Sequence, residues 1–393
     1  MHTIERYYKL NRILLETMGL WPYHYTYVTQ LQRTLFITVL ITFIIVQLLA
    51  FFTNQYTTHL LLQILSFVFP IFINTVQYCL FIVQTDNLKQ LLEQIQDDWN
   101  SLKDKLEINI LDRYACNARF CTKLLIVYCC FGLLFCGLFQ LLPIILDVIA
   151  PLNESRPCEL IVVTEYFVNK KKYFYITLLH ETLGYLVGAA IFCSTSAIVM
   201  ICILHACALF EIASCRIENA IPKSTLMIPT SKREYFLYRK IVYAVIMHQR
   251  AIKFVKLMTT SFATLFLILI ILGISSLSFN LFQFLQLITL RKNSSQTSTV
   301  GILILLHLNY MFITNYGGQE LLNHGLKLFK VTYNGLWYIA PLRTQKLLLF
   351  IMQKGTINIG LTCGSIFVAS LEGFATVKLT LFPRHTTQTL MFI

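Results

Sequence analysis

Few residues of this chain combine the types and the spacing that chemistry requires. The sequence has no phosphate-binding glycine loop, no zinc-binding His-Glu-x-x-His motif and no nucleophile elbow. The triplet Asp112-Arg113-Tyr114, which many G-protein-coupled receptors carry after their third helix, precedes the third apolar segment here, so we interpret it as a chance match. The nine histidines are scattered, and only His307 lies within an apolar segment. The sequence therefore predicts no enzyme, no cofactor and no metal site.

The strongest candidate site is a polar stripe in the last apolar segment. Its members are spaced seven, four and four residues apart, which places them on one face of a helix. A polar stripe in an apolar segment faces protein or water rather than lipid, and an acid within the membrane suggests an ion pathway. The alternative is that these groups only form hydrogen bonds with neighbouring helices. The stripe consists of Ser365, Glu372, Thr376 and Thr380.

Composition indicates the elements that must position this stripe. Hydrophobic residues make up 56% of the 393 residues and charged residues 13%, against roughly 45–50% and 25% in soluble domains. A soluble fold cannot cover that much apolar surface with polar groups. The net charge of +13 comes with no nucleic-acid-binding motif, and membrane proteins collect Lys and Arg in their cytoplasmic loops. We therefore predict a polytopic protein surrounded by membrane lipid, with no nucleic-acid partner.

Seven apolar segments are long enough to cross a hydrocarbon core about 30 Å thick. Six of them contain no Asp, Glu, Lys or Arg, and the seventh carries Glu372 and Lys378. Segments of this length suit helices rather than the roughly 10-residue strands of a membrane barrel. We predict an all-α membrane protein with seven transmembrane helices. The segments are Thr34–Thr53, Leu60–Gln84, Leu124–Leu146, Leu183–Leu204, Leu257–Gln286, Thr299–Gly317 and Ile359–Phe382.

The positions of the basic residues predict how these helices are oriented. With the N-terminus in the cytoplasm and the C-terminus outside, 24 Lys and Arg lie in cytoplasmic segments and 7 in extracellular ones, as the positive-inside rule favours. The two glycosylation sequons, at Asn153 and Asn293, also fall outside in this arrangement. The predicted topology is therefore the inverse of that of G-protein-coupled receptors.

Short motifs along the whole chain resemble those of the insect odorant receptors, in particular the divergent tuning receptors of ants, bees and wasps. Gly19-Leu20-Trp21-Pro22 resembles the family motif before the first helix, and Asp98-Trp99 and Ala118-Arg119 resemble positions in the second cytoplasmic segment. The densest block lies between about residues 315 and 380. It comprises Gly318-Gln319-Glu320-Leu321, Val331-Thr332-Tyr333, Leu336-Trp337-Tyr338, Gln345-Lys346-Leu347, Ile351-Met352, Thr362-Cys363-Gly364 and Ser370-Leu371-Glu372-Gly373-Phe374.

The resemblance implies a subunit of a ligand-gated, non-selective cation channel, assembled as a heterotetramer with a shared olfactory coreceptor. It implies a location in the plasma membrane of sensory neuron dendrites. Residues 1–317 would then form an N-terminal segment and a six-helix bundle with an odorant pocket. Residues 318–358 would form a cytoplasmic anchor where subunits meet through Gln319, Tyr333 and Trp337, with intrachain packing alone as the alternative. Residues 359–393 would form the last helix, whose polar stripe lines the pore, and a short extracellular tail.

The chain departs from the family pattern after Thr380, where a Ser/Thr-Tyr-Phe ending is usual. Here Pro383 lacks a backbone donor and disfavours a helical Phe382, and Arg384 is costly at mid-bilayer. We therefore expect the last helix to end near Phe382, which would shorten the outer pore.

The resemblance also implies an odorant pocket among the second, third, fourth and sixth helices. Apolar and aromatic walls with a few polar tips suit a small volatile molecule. None of the candidates is charged at pH 7 except a protonated His307, which favours a neutral, mostly apolar odorant or pheromone. For each candidate the alternative is a lipid-facing or core-packing role. The candidates are Phe69, Phe72, Phe139, Gln140, Tyr185, Ala189, His307 and Tyr310.

Other functional hypotheses stay open at this point. A gustatory-type receptor channel shares the inverted topology, but its usual signature in the last helix is missing from this sequence. A metabotropic seven-helix receptor requires the opposite orientation. A secondary transporter would carry internal repeats with broken helices, and we find no such repeat.

Overall fold

The structure, a computed structural model, is nearly all helical. It describes residues 7–24, 26–149, 162–169, 172–220, 230–289, 294–355, 360–363 and 367–381. A 3₁₀ turn, Trp337–Ile339, follows the eighth helix. Strands β1 (Thr362–Cys363) and β2 (Phe367–Val368) pair antiparallel. The helices are α1 Lys9–Thr17, α2 Tyr27–Thr53, α3 Thr58–Val83, α4 Thr85–Ser101, α5 Lys105–Ile149, α6 Phe174–Glu218, α7 Thr230–Thr289, α8 Ser294–Asn334, α9 Leu342–Gly355 and α10 Leu371–Leu381.

Six of the described helices are long and apolar enough to cross a membrane. They are α2, α3, α5, α6, α7 and α8, and each overlaps one of the first six apolar segments of the sequence. Their side chains provide the apolar surface that lipid requires, since many large hydrophobic residues are exposed along them. The prediction of a helical membrane protein is therefore confirmed for these six segments.

The seventh apolar segment does not form the continuous helix that we predicted over Ile359–Phe382. Its described residues begin with the β1–β2 pair, which the hydrogen bond from Ala369 N to Leu361 O extends. Helix α10 starts only at Leu371, and its described residues run to Leu381, so the described residues 360–363 and 367–370 of the segment are not helical. Gly360 and the β-branched Thr362 and Val368 have low helix propensity, which favours the strand pair over another two turns of helix.

Four helices continue well beyond their apolar segments. Helices α5, α6, α7 and α8 contain 45, 45, 60 and 41 residues, which corresponds to lengths of roughly 60–90 Å. Part of residues 205–256, predicted as a connecting segment, is therefore helical. The reason is visible on α6, whose continuation repeats small and apolar residues every three or four positions on a buried face. Those residues are Ala206, Leu209, Phe210, Ala213 and Ile217.

These continuations pack together into a bundle, which we call the extension bundle, and its buried core is continuous with that of the apolar segments. It consists of the described parts of residues 7–24, 85–123, 205–256 and 318–355. The remaining parts of α2, α3, α5, α6, α7 and α8 form the membrane bundle. Helix α4 contributes one apolar face to this core, and α9 contributes another. The buried residues of these two faces are Leu88, Leu91, Leu92, Ile95, Leu348 and Ile351.

Charged groups buried in the extension bundle are paired. Asp98 accepts from Arg250 at 3.4 Å and lies 3.1 Å from His205 Nε2. Glu107 receives two hydrogen bonds from the Arg216 guanidinium, at 2.5 and 2.8 Å. A buried charge is costly unless a partner and hydrogen bonds compensate for its lost hydration. The acid of the Asp98-Trp99 motif therefore connects α4, α6 and α7.

The Gly19-Leu20-Trp21 motif ends α1 and fixes it to the bundle. Gly19 has φ +66°, and the bonds from Gly19 N to Glu16 O (3.0 Å) and Leu20 N to Leu15 O (2.7 Å) form a Schellman motif. Leu20 and Trp21 are buried behind this turn. Because a side chain at Gly19 would be strained at this φ, the motif requires glycine.

Candidate functional site

The membrane bundle contains a cavity of about 300 Å³, at the lower end of the size range for small-molecule sites. Helices α3, α5, α6, α7 and α8 form its walls, and Leu361 and Ala369, on either side of the β1–β2 pair, also line it. Aromatic rings supply much of the lining. They include Phe67, Tyr128, Tyr185, Phe192, Phe266 and Tyr310.

Helical spacing explains which side chains reach the cavity. On α6, Glu181, Tyr185, Ala189 and Phe192 are spaced four, four and three residues apart, so they form one stripe along the helix. Residues of α8 follow the same rule, with Leu303, His307, Tyr310 and Thr314 on the cavity side. The cavity therefore depends on how these helices are rotated about their axes.

Five of the residues predicted to bind ligand line this cavity, which brings α5, α6 and α8 together at one site. Their role in binding stays a prediction. They are Gln140, Tyr185, Ala189, His307 and Tyr310.

The other predicted pocket residues do not line it or lie outside the described side chains. Phe69 packs against Phe279, with ring centroids 4.9 Å apart, and Phe72 is 42% exposed on the surface of the bundle. On α3 the cavity instead receives residues of another face, such as Ile71 and Asn74. Composition shows that a helix is apolar but does not show how the helix is rotated about its axis. The sequence prediction therefore put Phe69 and Phe72 on the cavity side, where the structure does not place them. The side chain of Phe139 is outside the described part.

Two polar side chains of the cavity already have partners within the protein. His307 Nδ1 lies 3.0 Å from Leu303 O, which can only accept, so this nitrogen carries a proton. Its Nε2 lies 3.0 Å from the hydroxyl of Ser276. Gln77 donates to Thr195 Oγ1 at 2.6 Å. These groups shape the cavity, and their hydrogen-bonding capacity is partly used before any ligand binds.

Glu181 is a cavity residue that sequence reasoning missed. Its side chain is fully buried, and Gln140 Nε2 donates to Oε1 at 2.5 Å. The predicted span began at Leu183, so Glu181 was assigned to a loop. The signal that could have found it is its spacing of four and eight residues from Tyr185 and Ala189.

A short connection, residues 162–169, is tied to α2 and α6 next to Glu181. The hydroxyl of Thr42 donates to Thr38 O, so it accepts from His180 Nε2 at 3.1 Å. His180 Nδ1 is then the acceptor for the Tyr166 hydroxyl at 2.9 Å. Glu165 N donates to Val46 O at 2.9 Å. These bonds fix the end of α6 that carries Glu181.

The floor of the cavity is joined to the start of α10. Asn315, which lines the cavity, accepts a hydrogen bond from Ser370 N at 3.2 Å, and Gln319, one turn later, accepts from Leu371 N at 3.2 Å. Ser370 caps α10, because its Oγ accepts from Gly373 N at 3.0 Å. Gly318 allows the close approach, since an added Cβ there would lie 2.7 Å from Ala369 Cβ. Gln319, predicted as a subunit contact, thus has an intrachain partner.

The polar stripe is only partly described. Glu372 and Thr376 are exposed on one face of α10, and Thr376 Oγ1 donates to Glu372 O at 3.0 Å. Ser365 lies outside the described residues, as does the side chain of Thr380. The sequons at Asn153 and Asn293 and the tail from Phe382 onward also lie outside them. The pore-lining and glycosylation assignments stay predictions.

The predicted anchor packs on one side and is exposed on the other. Leu321 and Leu328 of α8 are buried in the extension bundle with Leu348. Tyr333 and Leu342 are 60% and 69% exposed. Trp337 is half-buried against the core. Intrachain packing therefore accounts for part of the apolar residues in this segment, and an aromatic surface is left uncovered.

Comparison with known proteins gives a sequence family and a fold. A family model described as 7tm odorant receptor matches residues 57–381. The insect olfactory receptor OR5 from Machilis hrabei, in complex with eugenol, is similar with a TM-score of 0.76 and 13% identity, covering 96% of both chains. A second structure of that receptor gives a TM-score of 0.74 and 13% identity, covering 100% of this chain and 98% of the other. No curated protein sequence matches the chain.

Proposed function

Because the chain belongs to the 7tm odorant receptor family, we propose that it is the odorant-binding subunit of a ligand-gated, non-selective cation channel. The channel is a heterotetramer with an olfactory coreceptor, in the plasma membrane of sensory neuron dendrites. The N-terminus is cytoplasmic and the C-terminus extracellular. The ligand is a small, mostly apolar odorant or pheromone bound in the membrane-bundle cavity, whose volume and aromatic lining support this role.

The observation that carries the proposal is the link between the cavity and α10. Asn315 is both a lining residue and the acceptor for Ser370 N at 3.2 Å. A ligand that displaces Asn315 must lengthen or release this hydrogen bond, and with it the N-terminus of α10. A change at the cavity thereby reaches the helix that carries Glu372 and Thr376, and through them the ion pathway.

The uncovered surface of the anchor supports assembly with other subunits. Its aromatic and apolar side chains, including Tyr333 and Leu342, stand out of the extension bundle. Contiguous exposed apolar surface on a protein is typical of an interaction site. Trp337, which packs at its base, would hold this surface in position.

Coexpression with an insect coreceptor tests the function directly. We expect inward cation currents during application of an odorant panel only when both subunits are present. The control is the coreceptor alone, which reports any response that does not need this chain. If the chain reaches the cell surface with the coreceptor and no odorant of a broad panel evokes current, the channel proposal is wrong.

The proposed orientation has its own test. Both sequons, at Asn153 and Asn293, should carry glycans that Asn→Gln substitution removes. A C-terminal epitope should be stained on intact cells. Staining that requires permeabilisation would contradict the inverted topology.

A further inference from the structure

Glu181 is the only acidic side chain among the described residues that line the cavity. It is fully buried, and its Oε1 accepts a hydrogen bond from Gln140 Nε2 at 2.5 Å. Its other oxygen, Oε2, has no hydrogen-bond partner among the residues that the structure describes. A buried polar atom in this condition is uncommon in native proteins and calls for an explanation.

The described residues that line the cavity around Glu181 offer no positive charge. None of the described lining residues is Lys or Arg. His307, the one lining residue with an imidazole, is hydrogen-bonded through both ring nitrogens to Leu303 O and Ser276 Oγ. A buried carboxylate is unfavourable without a cation or several donors, and a ligand that carries a cationic group would supply the partner that the described lining lacks.

The remaining lining fits the rest of such a ligand. Tyr185 and Phe192 lie on the same stripe of α6 as Glu181, and Tyr310 packs edge-on against Phe192 with centroids 5.1 Å apart. Aromatic faces attract organic cations and also receive alkyl chains. The cavity of about 300 Å³ limits the ligand to a small molecule.

We propose that this cavity binds small apolar amines, with Glu181 Oε2 accepting the ammonium group and Gln140 orienting the carboxylate. The proposal rests on the proposed function of the chain as an odorant-binding subunit, and it replaces the neutral ligand class expected from the sequence. A neutral amine that enters through lipid takes its proton from the Glu181 carboxyl group, and a charged amine meets the carboxylate. Both routes end in the same ion pair.

The test compares matched ligands on the coexpressed channel. Straight-chain amines of four to ten carbons are applied beside the alcohols and aldehydes of the same lengths. At its best chain length the amine should act at a concentration at least tenfold lower than the matched alcohol. A channel that responds to alcohols or aldehydes and not to amines overturns the proposal, and this comparison needs no variant.

Substitution of Glu181 identifies the group responsible. Glu181→Gln keeps the size and the contact with Gln140 but removes the charge, so the amine should lose at least tenfold in potency while the alcohol changes by less than threefold. Glu165→Gln is the matched control. Glu165 is also a buried acid near this end of the bundle, but it bonds Thr53 and Phe167 N and does not line the cavity. Equal amine potency in wild type and Glu181→Gln overturns the proposal.

A binding measurement separates this proposal from the channel function. Octylamine should raise the unfolding temperature of the purified full-length subunit, and the rise should disappear in Glu181→Gln. If this occurs while no ligand evokes current, the channel function fails and the amine site stands. If odorants evoke current and octylamine neither stabilises nor activates the protein, the amine site fails alone.

Discussion

The extension bundle and the membrane bundle differ in how they hold their buried acidic side chains. In the extension bundle Asp98 has both His205 and Arg250 as partners, and Glu107 is held by two bonds from Arg216. In the membrane bundle Glu181 has, among the described residues, a single donor and an oxygen without a partner beside a cavity. The difference indicates that the paired acids of the extension bundle stabilise the fold, whereas Glu181 keeps an acceptor that a ligand can use.

The largest effect on stability should come from removing a paired acid of the extension bundle. Asp98→Ala leaves His205 buried without its partner. We expect a cost on the order of 2–3 kcal/mol, below the value for a fully buried pair because Arg250 is 42% exposed. We expect a clear fall in unfolding temperature and in surface level, with unchanged odorant potency in the channels that remain. Asp97→Ala, an exposed neighbour on the same helix, is the control. A shift in odorant potency in Asp98→Ala would contradict the division between the two bundles.

The next effect concerns the contact between Gly318 of α8 and Ala369, two residues before α10. Gly318→Ala places a methyl group against the backbone and Cβ of Ala369, which must push the start of α10 away. We expect at least a tenfold loss of maximal odorant-evoked current at near-normal surface level. Gly137→Ala, whose Cβ meets nothing within 4 Å, should have no such effect. Full current in Gly318→Ala would show that this close approach is not needed for gating.

A third effect lies in the cavity wall. Tyr310→Ala removes the ring that packs on Phe192 at 5.1 Å and should lower odorant potency about tenfold, equivalent to roughly 1.4 kcal/mol. Surface level should stay within twofold of wild type. Phe69→Ala, which removes a ring outside the cavity, is the comparison. If both substitutions change only surface expression, these rings serve packing alone.

The smallest effect should come from removing one hydrogen bond at the floor of the cavity. Asn315→Leu keeps the shape but removes the acceptor for Ser370 N, and one such bond is worth about 1 kcal/mol. We expect a change of about fivefold in the concentration that gives half-maximal current. Asn309→Leu, on an exposed face of the same helix, controls for the loss of an amide. Equal shifts in the two variants would show that the hydrogen bond between Asn315 and Ser370 N has no part in gating.

Physical signals of different strength explain how far the sequence could predict this structure. Runs of about twenty apolar residues have few alternatives to a helix, so the six membrane segments were predictable. The helical continuation of α6 past Leu204 was not, because charge counting assigns residues to a side of the membrane and says nothing of their conformation. Its signal was the spacing of Ala206, Leu209 and Ala213.

The candidate site was predictable only in part, because a cavity depends on helix rotation. Apolar helices lack a polar face that would fix this rotation, so Phe72 was expected inside and lies outside. Glu181 was excluded because span boundaries were drawn at the nearest charge. The link from Asn315 and Gln319 to the start of α10 required the tertiary fold, since 52 or more residues separate the partners.

The central claim is that a ligand in the cavity moves α10 through its contact with α8. The most direct measurement is the rate at which a charged thiol reagent modifies Thr376→Cys in the coexpressed channel, with the Thr376 parent as background for the native cysteines. Odorant should change this rate at least threefold, and Gly318→Ala should abolish the change while odorant still stabilises the protein against heat. A rate that stays constant while odorant-evoked current flows would contradict the account.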